Sequence, residues 1–494
     1  MSLINVSNLT FSYPGSFDNV FENVSFQIDT DWKLGFTGRN GRGKTTFLKL
    51  LLNEYEFGGS ISSDVEFMYF PFNVKDGGAL AFDIAAEFCP NAMDWEIIRE
   101  VSLLEADAEL LYHPFNTLSK GECTKILLAA MFLNENKFLL IDEPTNHLDM
   151  HAREAAAKYL NSKKGFILVS HDRAFLDMCT DHTLSINKTD IEIQKGNFSS
   201  WFENKKRTDA FEFAENEKLK KDIGRLEASA RKKAEWSYSV EKTKFAERNS
   251  GLRPDRGYIG HKAAKMMKRS KSIENRRQNA VEEKCRLLKN IEVSDTLKIS
   301  QLSYRKTTLA ELKDISIYYG EKEVCRGVSL KVENGKRISL SGHNGSGKSS
   351  VLKLILGEDI KYRGYLNIGS GLKISYVPQD TSFLKGSLSD YAAEKGIDEH
   401  IFKAILRKLD FSREQFRKDM EFFSEGQKKK TLIAASLCEK AHLHIWDEPL
   451  NFIDVISRMQ IEELILANNP TLLFVEHDRN FCKKIADDII EIGR

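Results

Sequence analysis

The chain has 494 residues, with 73 Lys and Arg against 72 Asp and Glu, a formal net charge of +1. That length exceeds one ordinary core and predicts about three folding units. With 41% hydrophobic and 29% charged residues the chain is not a disordered one, and the balance argues against a generally basic nucleic-acid binder, although a sum hides local segregation. No apolar run approaches the roughly 20 residues that span a bilayer. The opening Met1-Ser2-Leu3-Ile4-Asn5 carries no basic-plus-apolar leader. Seven Cys, odd in number and without a Cys-x-x-Cys, read as reduced thiols of a cytosolic protein and not as a disulfide frame, zinc site or iron–sulfur cluster.

In chain order, the first candidate element is the strand-like run Lys33-Leu34-Gly35-Phe36-Thr37. It leads into Gly38-Arg39-Asn40-Gly41-Arg42-Gly43-Lys44-Thr45 and then a helix-like run from Thr46 to Leu51. Strand, Gly-rich loop and helix are what a phosphate loop requires: glycines let backbone N–H groups curl around phosphate oxygens, and the helix N-terminus adds positive potential. Gly38, Asn40, Gly41, Gly43, Lys44, Thr45 and Thr46 are the expected ATP contacts, with Lys44 reaching the β/γ-phosphates and Thr45 ligating Mg²⁺. A second apolar strand, Phe138-Leu139-Leu140-Ile141, ends in Asp142-Glu143. Asp142 is placed as the Mg²⁺-orienting carboxylate and Glu143 as the group that polarises the attacking water. A third strand, Gly165 to Ser170, ends in His171, which in this series reads as the residue sensing the γ-phosphate.

The segment from Lys205 to Lys289 holds 25 Lys/Arg and 13 Asp/Glu, a net of +12, so the remainder carries −11. Leu219, Ile223, Leu226 and Ala230 make one helical stripe, and Ile273, Ala280 and Leu287 step by seven on the far side of a polar stretch, Asn249 to Gly257. The pattern predicts two long antiparallel helices joined at a tip. Lys262, Lys265, Arg269 and Arg276 share a face of the second helix, with Lys268 and Lys271 beside them. Such a basic stripe suits a structured RNA, and Lys242, Lys244, Phe245, Arg253, Arg256 and Tyr258 extend the candidate contact toward the tip. A solvated hairpin that only spaces the domains, with its own small tip core, is the alternative.

Beyond this segment the first series recurs. Gly342-His343-Asn344-Gly345-Ser346-Gly347-Lys348-Ser349-Ser350 lies 304 residues after the first loop, Asp447-Glu448 lies 305 after Asp142-Glu143, and His477 lies 306 after His171. The chain is therefore two copies of one α/β domain around an insert: 1–200, 201–300 and 301–494. In the second copy Gly342, Asn344, Gly345, Gly347, Lys348, Ser349 and Ser350 are the expected ATP contacts. Ser349 and Asp447 are the metal residues there, and Glu448 and His477 the catalytic ones.

Leu118-Ser119-Lys120-Gly121-Glu122 and Phe423-Ser424-Glu425-Gly426-Gln427 each place their Ser 23 residues before the strand-ending Asp. They resemble the signature of ATP-binding cassette ATPases. The resemblance implies the P-loop NTPase fold, with Ser119, Gly121, Ser424 and Gly426 each capping the nucleotide held by the opposite domain. Tyr13 and Tyr319 fall at that family's adenine-stacking position; Tyr318 competes with Tyr319, and a buried strand Tyr is an alternative. Gln379, in Tyr376-Val377-Pro378-Gln379, matches the family's Mg²⁺- and water-contacting Gln, whereas Phe72 stands there in the first copy. Lys120 and Glu425 replace a glycine with opposite charges, so the two sites, Lys44 with Ser424 and Lys348 with Ser119, are expected to be unequal.

Two cassettes joined by a charged helical hairpin, with Asp142-Glu143-Pro144-Thr145-Asn146-His147-Leu148-Asp149, resemble the ABC-F family over essentially the whole chain. Trp446 to Asp454 and Val475-Glu476-His477 look like its Lsa/Vga-type resistance members. That likeness implies a cytoplasmic, ribosome-associated, monomeric ATPase using ATP and Mg²⁺. Its closed form would enter the tRNA exit site, touching large-subunit rRNA and exit-site or P-site tRNA. Its linker would displace lincosamides, pleuromutilins and streptogramin A. A housekeeping translation factor of the same family and the ATPase subunit of a membrane transporter are the competing readings. A DNA-directed role is disfavoured, because no C-terminal extension follows the second cassette and no zinc-type Cys pairs occur.

Overall fold

The computed structural model describes residues 2–14, 19–72, 74, 76–134, 136–146, 148–186, 191–212, 214–215, 217–218, 221, 224–225 and 302–493. Residues 1–201 with 295–494 make one compact unit, and 202–294 a second. In the second unit, residues 202–212 are helical.

The first cassette opens with a three-stranded antiparallel sheet, β2 (Phe21–Asp29), β1 (Leu3–Phe11) and β4 (Gly58–Ser62). Its core sheet has the order β5-β6-β7-β3-β8-β9, from β3 (Lys33–Thr37), β5 (Glu66–Phe70), β6 (Lys137–Asp142), β7 (Phe166–Val169), β8 (His182–Ile186) and β9 (Ile191–Lys195). All neighbours in it are parallel except β8 and β9. The near-continuous apolar runs seen in the sequence follow from this: Phe166–Val169 is buried along its whole length, as a parallel strand covered on both faces must be. Phe36, Phe47, Phe138 and Ile167 fill the space between the two sheets.

The second cassette repeats the plan. β11 (Lys322–Glu333), β10 (Thr308–Tyr319) and β13 (Lys361–Ile368) form the antiparallel sheet. The core sheet runs β14-β15-β16-β12-β17, from β12 (Arg337–Ser341), β14 (Ile374–Val377), β15 (Leu443–Asp447), β16 (Leu472–Val475) and β17 (Asp488–Glu491), all parallel. Trp446 on β15 is fully buried and donates its indole N–H to Ser436 Oγ at 2.9 Å, which satisfies its one polar atom. In both cassettes the strand preceding the Gly-rich loop lies inside the sheet. The loop, the strand-ending Asp and the His therefore emerge together at the carboxyl edge, where doubly wound sheets bind ligands.

Several charged groups are buried in the second cassette. Asp454 caps the helix Val455–Asn468, accepting from Ser457 N at 2.9 Å, and it accepts from Lys430 Nζ at 2.9 Å while fully buried. Burial opposes its charge, but Lys430 and the helix amide outweigh that and hold the carboxyl below the usual range. Its stabilisation is thus complete above the unfolded-state value of about 3.9 and is lost as pH falls below it. Asp454→Asn is expected to destabilise the chain by about 3 kcal/mol at neutral pH, by stranding Lys430. The gap to the parent should narrow between pH 4 and pH 3 in thermal melts; a constant gap would contradict the assignment.

Candidate functional site

Each Gly-rich loop closes onto its helix through a left-handed glycine. Gly43 (φ 95°) precedes the helix Lys44–Leu51 and Gly347 (φ 90°) the helix Lys348–Leu356. A Cβ at Gly43 would lie 2.6 Å from Val20 Cγ1, so the position excludes a side chain on steric as well as conformational grounds. The loop amides and helix start form an anion cradle. Lys44 Nζ folds over it, donating to Gly38 O at 2.8 Å and Arg39 O at 3.3 Å; Lys348 Nζ donates to Gly342 O and His343 O, both at 2.8 Å. Burial lowers both ammonium groups from the usual lysine value.

The strand-ending carboxylates meet the loop hydroxyls. Thr45 Oγ1 donates to Asp142 Oδ2 at 2.8 Å and Ser349 Oγ to Asp447 Oδ1 at 3.1 Å. This mixed hydroxyl and carboxylate oxygen set fits Mg²⁺. Among the described residues no group of three or more His, Cys, Asp or Glu is gathered for a metal. Glu143 and Glu448 follow in the left-handed region, φ 52° and 47°, where a non-glycine residue is held only by its surroundings. Their N–H groups donate to Val169 O at 2.9 Å and Val475 O at 3.0 Å. His171 Nε2 lies 3.1 Å from Glu143 Oε1, and His477 Nε2 3.4 Å from Glu448 Oε1. Burial, with Asp142 beside it, pushes the Glu143 carboxyl up to about 8. Glu448 is also desolvated, yet His477, Asn451 and Lys348 outweigh that and hold it below the usual range.

The two cassettes meet head to tail. Asn40 Nδ2 donates to Phe452 O at 2.7 Å, and Arg39 pairs with Asp410 at 2.8 Å, so the first loop faces the second signature. A Cβ on Gly426 would lie 2.4 Å from Phe452 O of its own cassette and 3.0 Å from Asn40 Nδ2 of the opposing loop; the glycine makes room for both. On the other side Ser119 and Gly121 line one cavity of about 760 Å³ with Lys348, Ser349, Glu448 and His477. Ser119 and Ser424 each cap a helix, accepting from the N–H of Glu122 or Gln427 at 3.3 Å. Those side chains accept from the serine N–H in return, at 2.7 and 3.0 Å. The Ser-x-x-Glu/Gln spacing of the signature is thus also a capping box.

The sites differ in their linings. Gln379 Nε2 donates to Glu448 Oε2 at 2.8 Å, whereas Phe72 packs on Phe88, ring centroids 3.8 Å apart. In the first cassette Tyr69 OH donates to Asp142 Oδ2 at 3.0 Å, a contact that sequence reasoning missed although Tyr69 stands three residues before Phe72. The expectation for Glu425 is modified: its carboxylate accepts from Thr381 Oγ1 at 2.5 Å and pairs with Lys428 at 3.6 Å, which draws its charge toward its own cassette. Asp149 and Asp454, which end the two Asp-Glu-Pro segments, were also missed as cross-cassette groups. Asp149 Oδ2 lies 3.4 Å from His343 Nδ1, and Asp454 is the strongest charge acting on Lys44. Their repetition 305 residues apart was the available signal.

Tyr13 OH lies 2.6 Å from Thr46 Oγ1. Tyr13 and Tyr319 remain 42% and 48% exposed, while Tyr318 OH donates to Glu323 at 3.1 Å. Gly38, Gly41, Asn344, Gly345 and Ser350 lie in the two loops and the helix starts that follow them. The linker candidates Lys242, Lys244, Phe245, Arg253, Arg256, Tyr258, Lys262, Lys265, Lys268, Arg269, Lys271 and Arg276 lie outside the described residues. No described helix is long and apolar enough to cross a membrane.

The family profile described as "ABC transporter" matches residues 21–146 and 325–451. Over 98% of its length the chain is 28% identical to ribosome protection protein VmlR of Bacillus subtilis (strain 168), spanning 85% of that protein. It is likewise 28% identical, over 98% of its length, to ATP-binding protein Uup of Buchnera aphidicola subsp. Acyrthosiphon pisum, spanning 80% of it. These relatives agree with the ABC-F resemblance read from the motifs. Among solved structures, the complex of archaeal ribosomal stalk protein aP1 with archaeal ribosome recycling factor aABCE1 matches with a TM-score of 0.63 at 18% identity. The match covers 99% of this chain and 87% of that one, and shows the tandem-cassette fold.

Gly426→Ala is expected to cut steady-state ATP turnover about tenfold or more, because displacing the loop by about 1 Å misaligns reacting groups. Turnover within twofold of the parent would show that the Asn40–Phe452 approach does not matter to activity.

Proposed function

Because the chain belongs to the ABC transporter family of ATPases and carries its domain twice, we propose that it is a ribosome-binding ABC-F ATPase. We propose further that it protects the ribosome from lincosamides, pleuromutilins and streptogramin A. The observation that carries this reading is the relationship, over 98% of this chain and 85% of the relative, to a ribosome protection protein. The basic segment between the cassettes, net +12 over Lys205–Lys289, supports it, since RNA phosphates are the natural partner of such charge. The ATP-bound form would enter the tRNA exit site, against large-subunit rRNA and exit-site or P-site tRNA, with the linker directed at the drug region. A housekeeping translation factor is the second reading, favoured by the equal identity to Uup.

The working event in this proposal is closure. Lys44 and Lys348 bind the β/γ-phosphates in the loop cradles, while Ser424 and Ser119 donate from the opposite cassette. Thr45 with Asp142, and Ser349 with Asp447 and Gln379, would hold Mg²⁺, which when bound neutralises phosphate charge. Gln379 gives its N–H to Glu448, which leaves its carbonyl oxygen for that role. Glu143 and Glu448 orient the attacking water and accept its proton, and His171 and His477, against those carboxylates, respond to the γ-phosphate. Hydrolysis then removes the anion that both cassettes share, and the seam reopens.

Glu143→Gln with Glu448→Gln is expected to trap the protein in the ribosomal fraction of a sucrose gradient with ATP. A double variant that stays in the ribosome-free fraction sinks the closure scheme. Deleting 245–258 should leave ATPase activity within about twofold and abolish drug protection in a susceptible host. If the full chain raises no inhibitory concentration for any of the three drug classes yet still sediments with ribosomes, the housekeeping reading takes its place.

A further inference from the structure

The chain contains its own control for what the fold requires. The antiparallel sheets of the two cassettes match residue by residue over the strands of the first, each strand of the second being three residues longer. Left-handed Asn8 (φ 51°) corresponds to Asp314 (49°), Asn23 (52°) to Gly327 (66°), and Gly59 (95°) to Gly364 (114°). The same bond closes each bulge, Asn8 N to Ser25 Oγ at 2.8 Å and Asp314 N to Ser329 Oγ at 2.9 Å. Ser7 pairs with Ser60 as Lys313 pairs with Tyr365, and Thr10 with Gly58 as Ser316 with Arg363.

With that register fixed, the solvent faces differ: Asn5 and Asn19 become Glu311 and Glu323, and a larger set of positions gains cations and tyrosines. Ser7 and Gln27 of the first sheet become Lys313 and Lys331 of the second, and Ser12, just beyond β1, becomes Tyr318. Gly58 and Ser60 become Arg363 and Tyr365, and Glu56, ahead of β4, becomes Lys361. Since the first sheet folds with Ser7, Gln27, Gly58 and Ser60, the second does not need lysine, arginine and tyrosine at those four positions for folding. Tyr365 is 52% exposed. Lys313 Nζ lies 5.5 Å from the centre of the Tyr365 ring and Arg363 5.6 Å from that of Tyr318. Lys313 and Lys331 are paired with Glu311 and Glu333, at 2.9 and 2.6 Å. Among the described residues Lys361 and Arg363 have no such ion pair, and both lie on β13, an edge strand of the sheet.

We propose that this face of the second cassette is an RNA-contact surface, separate from the linker, that takes unpaired nucleotides. The exposed Tyr365, with half-buried Tyr318 beside it, offers a flat ring on which an unstacked base settles, and the neighbouring Lys361 and Arg363 hold the connecting phosphates. A duplex hides its base faces and leaves the tyrosines without a role. An acidic protein surface would use the cations alone and leave the exposed tyrosine ring without a partner.

The test uses the full chain with a fluorescent 12-nucleotide uridine RNA and a duplex of the same length, followed by anisotropy over a salt series. The variants transplant the first sheet into the second: Tyr365→Ser alone, and Tyr365→Ser with Lys361→Glu and Arg363→Gly. Single-strand affinity is expected to fall about tenfold in the single variant. The triple variant should fall further and lose about 1.4 from the salt slope, two phosphate contacts. Melting temperature and ATP turnover should be unchanged, and 4-thiouridine in the RNA should crosslink within 361–368. Unchanged affinity and slope, equal losses on duplex and single strand, or a ribosome-bound crosslink from this strand to protein only would each overturn the proposal. Sedimentation with ribosomes reports on the function proposed above, so the two ideas fail separately.

Discussion

A carboxylate with no access to water must be neutralised, and Glu462 is such a group. It is held by Lys484 of its own cassette at 2.9 Å and by Arg173 of the other. Breaking a pair of this kind strands a charge, at roughly 3–5 kcal/mol. Lys484 keeps Glu462 paired when the seam opens, so the seam adds to the stability of the second cassette without being a condition of it. Arg173 follows His171 and Asp172 directly, so the residue that joins the cassettes stands two positions from the imidazole that faces Glu143. Arg479, two positions after His477, pairs with Glu154 in the reverse direction. The repeat of the chemistry and the repeat of the seam are thus one pattern of sequence.

That pattern explains what was legible from residues alone. The loops, the strand-ending carboxylates and the histidines are local: each is fixed by a strand that must be buried and a turn that must follow it, so spacing along the chain reports their meeting. Tyr69 was missed because its contact with Asp142 depends on the parallel register of β5 with β6, which pairs Tyr69 with Leu140 and Phe70 with Ile141. Asp410 and the Phe452 carbonyl were missed for a different reason. They act on the opposite cassette, and no periodicity within one copy encodes how two copies dock. The basic stripe between the cassettes remains a statement about sequence.

The inequality of the two sites has a physical basis in side chains around a conserved backbone plan. Around Lys44 the arginines of the loop face Asp410, and Phe72 has joined an aromatic contact. Around Lys348 the corresponding loop residues are His343 and Ser346, and Gln379 reaches Glu448. Glu143 and Glu448 share a backbone conformation, yet burial raises one carboxyl and polar neighbours lower the other. Duplication preserved the geometry and left the electrostatics free to diverge.

The capping boxes at Ser119 and Ser424 carry one more consequence. A hydroxyl has two lone pairs and a single proton. The helix amide of Glu122 or Gln427 occupies a lone pair of each serine oxygen, so the proton is turned away from the helix. Each signature serine is thereby polarised as a donor, and the polarity of the seam is built into a helix start: it presents hydrogen to whatever anion the opposite cassette delivers.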